Sequence, residues 1–133
     1  MKNAYQLITV LLITIFTTGC KKNDTRISDG TYAGTFTVTY SSGVQSNNVV
    51  LEISGGKYNC SGNTNRIPAG GAGSFVLENN KLKFTDEQVW TADFDWNLIL
   101  NGSYNYTFDG QQLKITAHKN NVAYYKYDLL KIK

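Results

Sequence analysis

The chain has 133 residues, with 13 Lys or Arg, 10 Asp or Glu and a formal net charge of +3. That length suits one folded domain and not two. Beyond residue 28 the charges balance at nine of each sign, so no basic field remains to steer nucleic acid, and that partner class is excluded.

In chain order, the first segment is a targeting sequence. Lys2 supplies positive charge, and Leu7 to Phe16 form an uncharged apolar run of ten. This is a signal-peptide core, well short of the roughly 20 apolar residues that span a bilayer. It ends in Thr17-Thr18-Gly19-Cys20, followed by Lys21-Lys22-Asn23-Asp24. The stretch resembles a bacterial lipobox, with Gly19 and Cys20 at its most demanding positions and Thr17 where Leu is usual. The resemblance covers only the leader. It implies removal of residues 1–19 and a diacylglycerol on Cys20, usually with a third chain on its amine. Two or more acyl chains hold stably to a membrane. Lys21, rather than Asp, follows the lipidated cysteine, which points to the outer membrane. The sequence leaves open whether the domain faces the periplasm or the cell surface. Residues 20–28 then read as a polar tether, and residues 29–133 as the folded domain.

With Cys20 taken by lipid, Cys60 has no partner for an intramolecular disulfide. The domain must rely on its core, with Cys60 as a small buried apolar residue.

The domain reads as β throughout. Tyr, Thr, Val, Phe and Trp recur, with Gly and Asn in the turns. Strands are predicted at 31–40, 48–54, 57–61, 73–78, 81–85, 94–100, 103–109, 111–118 and 122–131. Register can be tested, because a one-residue slip sends every side chain to the wrong face. Two-residue turns at Gly55-Gly56, Asn79-Asn80 and Asp109-Gly110 keep one apolar face. The last sets Tyr106 opposite Leu113 and Tyr104 opposite Ile115. Three-residue loops at 101–103 and 119–121 are preferred for the same reason; the second pairs Ile115 with Tyr125. The turn near Ser41 fits neither count, and a bulge around 45–48 is the predicted repair.

The inward set is then Phe36, Val38, Tyr40, Val49, Leu51, Ile53, Tyr58, Cys60, Phe75, Leu77, Leu82, Phe84, Trp96, Leu98, Leu100, Tyr104, Tyr106, Phe108, Leu113, Ile115, Tyr125, Tyr127 and Leu129. A single antiparallel meander of eight or nine strands with one apolar face closes most economically into a small barrel, which removes its edges. A two-sheet β-sandwich is the alternative, with 61–72 and 86–93 as crossovers. In layout, and in the Gly-Thr-Tyr32-Ala-Gly34-Thr-Phe opening, the domain resembles lipocalin-like barrels among small bacterial lipoproteins. The lipocalin Gly-x-Trp motif is missing.

The chemistry-bearing residues are few. His118 is the single histidine, at a strand end and outward; Cys60 is inward, so the two cannot pair as nucleophile and base. No nucleophile elbow, phosphate loop or metal-ligand spacing occurs. The expectation is a protein that is not an enzyme and holds no cofactor or metal.

Asp86 to Trp96 carries four carboxylates and three aromatics. Trp90, Asp93, Asp95 and Trp96 could form a rim site, aromatic faces for a sugar or apolar ligand and carboxylates for hydroxyls or calcium. A plain solvated loop is the competing reading. Tyr58, Tyr104, Tyr106, Tyr125 and Tyr127 face inward, and buried phenols need partners. They suggest a ligand-accessible interior, unless their hydroxyls simply reach the rim. The Gly-rich stretch 67–73 reads as a loop or lid over one mouth.

The expected function is therefore a membrane-anchored, non-enzymatic envelope lipoprotein. It would bind a small apolar or glycan-like ligand in or at the mouth of its barrel. The alternative is a protein-interaction or hydrolase-inhibitor module with an envelope protein partner. Barrel-shaped lysozyme inhibitors share its size and address, and Tyr58-Asn59-Cys60 is similar to a stretch of theirs, but their cysteine pairing is missing.

Overall fold

The computed structural model describes residues 26–91 and 93–133. The expected leader, the expected lipidation site Cys20 and the expected tether up to Thr25 lie outside the described residues. No helix among the described residues is long and apolar enough to cross a membrane.

Eight antiparallel strands close into a barrel in sequence order: β1 (Gly30–Tyr40), β2 (Gly43–Ser54), β3 (Lys57–Cys60), β4 (Gly71–Glu78), β5 (Lys81–Asp86), β6 (Gly102–Phe108), β7 (Gln112–Lys119) and β8 (Ala123–Lys131). The ring closes where β1 meets β8, with Phe36 opposite Tyr127 and Val38 opposite Tyr125. Gly34 permits that seam. A Cβ there would collide with the Asp128 carbonyl oxygen, so only glycine lets the two backbones approach. The barrel, not the sandwich, is the architecture.

The alternation of apolar and polar residues sets which side of each strand is buried. Phe36, Val38, Leu51, Leu82, Phe84, Leu113, Ile115 and Leu129 are all 2% exposed or less. The Gly55-Gly56 and Asn79-Asn80 turns behave as read: Ile53 meets Tyr58 and Leu77 meets Leu82. Asn79 and Asn80 both take positive φ, 51° and 58°, as a tight hairpin of matching twist requires.

Several expectations differ from the structure. β1 and β2 join through Ser41-Ser42 with no bulge, so Gln45 and Asn47 share the inward face with Val38 and Phe36. That is tolerated because β3 pairs only with Leu51–Ser54, leaving this end of β2 at the barrel rim. The Asp109-Gly110 connection is longer than two residues. The Asp109 carboxylate accepts the Gln111 and Gln112 amides, and the register moves by two to Phe108–Leu113 and Tyr106–Ile115. The β7–β8 register moves by two as well, setting Ile115 opposite Tyr127. Shifts of two preserve the buried face, which is why the core was still legible.

Segment 94–100 is not a strand. Asp95 caps a single 3-10 turn, Trp96–Leu98, its carboxylate accepting the Asn97 amide. Leu98, Ile99 and Leu100 are then buried in succession, which no one-faced strand can do, while Trp96 turns outward at 58% exposure. Leu77 is also exposed, at 48%, on the overhanging tip of the β4–β5 hairpin. Tyr32, Ile99, Ala117 and Ala123 join the core unforeseen.

The meander fixes two unlike ends. At one, which we term the near end, lie the 55–56, 79–80 and 109–111 turns and both termini of the barrel. At the far end lie the 41–42 and 120–122 turns and both long connections, 61–70 and 87–101.

Candidate functional site

The far end is built by the two long connections packing on each other. The Ala69 amide donates to Leu98 O and the Leu100 amide to Gly70 O, at 3.0 and 2.8 Å, so the chain at 98–100 lies across the mouth. From inside, the Tyr58 hydroxyl donates to Leu100 O at 2.6 Å. From the rim, the Lys119 ammonium donates to three backbone carbonyls, Asn97 O at 3.1 Å, Ile99 O at 3.3 Å and Asn101 O at 3.1 Å. Its charge also sits over the Tyr104 and Tyr125 rings, 4.8 and 5.3 Å from their centroids. Burial pushes the Lys119 pKa down to about 8, with Asp95 opposing that shift.

The expected ligand residues fall into two groups. Tyr58, Tyr104, Tyr125 and Tyr127 are core side chains, each 3% exposed or less, with the rings of Phe36 and Phe84 among them. Burial holds all four phenols well above the ordinary tyrosine range. They face inward as read, into a packed interior. Tyr106 is half-buried and lines a groove at the opposite end.

Trp90, Asp93, Asp95 and Trp96 lie at the far end. Trp90 is committed to the fold: its indole N–H donates to Asp86 Oδ2, while Asp86 Oδ1 accepts the Ala72 amide. Asp95 is likewise engaged, accepting from the Tyr40 hydroxyl and the Asn97 side-chain amide. Asp93 is exposed. Glu87 pairs with Lys57 at 3.0 Å, so the carboxylates of Asp86, Glu87 and Asp95 point to different partners. Among the described residues no group of three or more His, Cys, Asp or Glu side chains is placed to hold a metal ion.

The rings of Trp90, Phe94 and Trp96 form a ladder, with centroids 5.6 and 6.4 Å apart, and the Arg66 guanidinium covers Phe94 at 4.6 Å. Trp96 ends the ladder at the surface and walls a cleft of about 340 Å³. The cleft is shared with Asn97, Asn101, Gly102, Ser103, His118, Lys119 and Asn120. A second hollow of about 370 Å³ lies beyond His118, whose ring stacks on Tyr124 at 4.7 Å.

Asn97, Asn101, Asn120 and Lys119 were not singled out from sequence. They gather only because 94–100 coils instead of pairing. The signal available was the triple Leu98-Ile99-Leu100, which is incompatible with a half-buried strand.

No family model matches the chain, and no curated protein or solved structure matches it.

Proposed function

We propose that the protein is an outer-membrane-anchored envelope lipoprotein without catalytic activity, and that its far rim binds a glycan. The observation that carries this reading is the exposed Trp96 ring beside the amides of Asn97, Asn101 and Asn120 and the imidazole of His118. A sugar ring has apolar C–H faces and a girdle of hydroxyls. A flat indole takes the first, and side-chain amides, each both donor and acceptor, take the second. The location supports it as well. The chain leaves the barrel toward Cys20 at the near end, so the rim points away from the anchor.

The ligand then sits at the rim rather than among the core tyrosines. One exposed tryptophan and a few amides amount to a weak site, about 1 mM for a single sugar. An array of anchored copies would raise the avidity for a polymer. Titration of the mature chain with oligosaccharides, read by Trp fluorescence, tests this. Trp96→Ala should weaken binding at least tenfold, about 1.4 kcal/mol, without lowering the melting temperature. Equal binding by both proteins overturns the reading.

A second reading, an interaction or inhibitor module, is favoured by the edge of β2, which is left unpaired among the described residues. Val44, Ser46 and Asn48 extend beyond the reach of β3, with no charged residue from Gly43 to Val50 to discourage strand addition. The β2–β3 turn also reads Ser54-Gly55-Gly56-Lys57-Tyr58, which fits the Ser-Gly-x-Lys/Arg-Tyr pattern of barrel-shaped lysozyme inhibitors. The glycines are accounted for by the turn itself, where both take positive φ, 56° and 78°. A stoichiometric envelope protein captured by wild type and lost when Ser46→Pro blocks the edge would favour this reading over the glycan.

A further inference from the structure

The two mouths of the barrel are closed differently. At the far end, Leu98 and Leu100 fill the opening. At the near end, Ile27 packs on the core from outside and leaves beside it an apolar groove of about 380 Å³. Its walls are Phe75, Leu77, Leu82 and Tyr106, with Arg26 at the edge. The hairpin tip bearing Leu77 overhangs this groove, and Val76 beside it is 56% exposed. Ile132, at the same end, is 62% exposed. An apolar groove with exposed apolar side chains beside it calls for a partner.

We infer that this groove end rests on the surface of the lipid bilayer. Leu77, Phe75 and Tyr106 would dip into the boundary between headgroups and acyl chains. The inference builds on the reading of Cys20 as the lipidated residue. Two observations select lipid as the occupant. First, the chain enters the barrel through Arg26 and Ile27, in the groove itself. Cys20 lies six residues before Arg26, a span of at most about 20 Å fully extended. The groove is thereby held within reach of the membrane. Second, the charges are arranged for it. Arg26, Lys81 and Lys133 lie at this end and Lys21 and Lys22 in the linking chain, with Asp29, Glu78 and Asp109 offsetting part of this. At the far end Asp86 closes β5 and Glu87, Asp93 and Asp95 lie in the 87–101 connection, four of the nine acidic residues beyond residue 28 against the two cations Arg66 and Lys119. Anionic headgroups attract the groove end and repel the far end. The barrel would then stand on the membrane with Trp96 uppermost, instead of tumbling on its tether.

The test is Leu77→Trp in the full mature chain. It is reconstituted in phosphatidylethanolamine–phosphatidylglycerol vesicles whose acyl chains carry bromine, a contact quencher of indole emission. Leu77 is half exposed, so the substitution leaves the core intact; thermal melting checks this. The added emission of Leu77→Trp should be lost in brominated vesicles, while emission from Trp90 and Trp96 in the wild type is unchanged. An unquenched Leu77→Trp on vesicle-bound protein overturns the inference. Intact mass of the same sample reports the lipid on Cys20 separately. If that lipid is missing, the chain is added to the same vesicles from solution at high concentration, and quenching at position 77 still decides for the groove, its absence against it.

Discussion

Replacing Tyr58 by Phe tests how the far mouth is sealed. The substitution keeps the ring, which packs edge-on against Phe84 at 4.9 Å, and removes only the hydroxyl. That hydroxyl donates to Leu100 O at 2.6 Å in a buried setting, and Leu100 is 0% exposed. Tyr58→Phe would leave a buried carbonyl without this donor, a loss of about 1–3 kcal/mol. With a urea m-value of about 2 kcal/mol/M, a loss of about 2 kcal/mol moves the unfolding midpoint down by about 1 M. Because the bond ties loop to barrel, the effect has an address. Amide exchange should quicken at Leu98–Leu100 well before it quickens in β7 and β8. A midpoint shift below about 0.2 M with unchanged exchange at Leu100 would refute the reasoning, since the loop would then be held by something else.

Lys119 gives a pH-dependent counterpart. Its folded pKa is lowered to about 8 from 10.5, so between those values the unfolded chain binds more protons and stability rises with pH. Wild type should therefore gain on Lys119→Met from pH 8 to 10.5 in urea midpoints, and a flat difference contradicts the assignment. The buried tyrosines act oppositely: their raised pKa values hold the barrel together below about pH 10 and weaken it above. Tyrosinate absorbance should show Tyr104 and Tyr127 ionising only as the barrel unfolds; ionisation in the folded state would show them accessible. Gly34→Ala should cost about 3 kcal/mol or more, the range of severe overpacking, because its Cβ meets the Asp128 carbonyl; a near-normal melting temperature would mean the β1–β8 seam is looser than described. Burial raises the Cys60 thiol to about 12, so alkylation at about pH 8 should wait for unfolding. Rapid labelling of native protein would argue against the buried position.

How far the fold could be read from sequence depended on parity. Ile53–Tyr58 and Leu77–Leu82 follow from turn length and alternation alone. The β6–β7 and β7–β8 pairings were each displaced by two residues: Asx bonding at Asp109 lengthens the first loop, and left-handed Asn120 and Asn121 set the second, still of three residues, one position later, neither changing which face is buried. The rim was less legible. Phe94, Trp96, Leu98 and Leu100 alternate as a strand does, yet Asp95 uses its side chain to start a tight turn, and the burial of Ile99 breaks the alternation. Five tyrosines turned inward suggested a wet interior. Tyr58 instead spends its hydroxyl on the loop that closes the mouth, and Tyr32 likewise donates to Ser28 O at the near end. The gathering of Asn97, Asn101, Asn120 and His118 depends on the 87–101 connection meeting the β7–β8 turn and the end of β7, and no local pattern announces that.

Backbone and side-chain chemical-shift mapping of the mature chain during oligosaccharide titration tests the central claim most directly. A rim site predicts shifts confined to the Trp96 indole, the Asn97, Asn101 and Asn120 amides and the His118 ring, with Tyr104 and Tyr127 unmoved. Shifts at the core tyrosines, or no shift with any oligosaccharide tried, would contradict it.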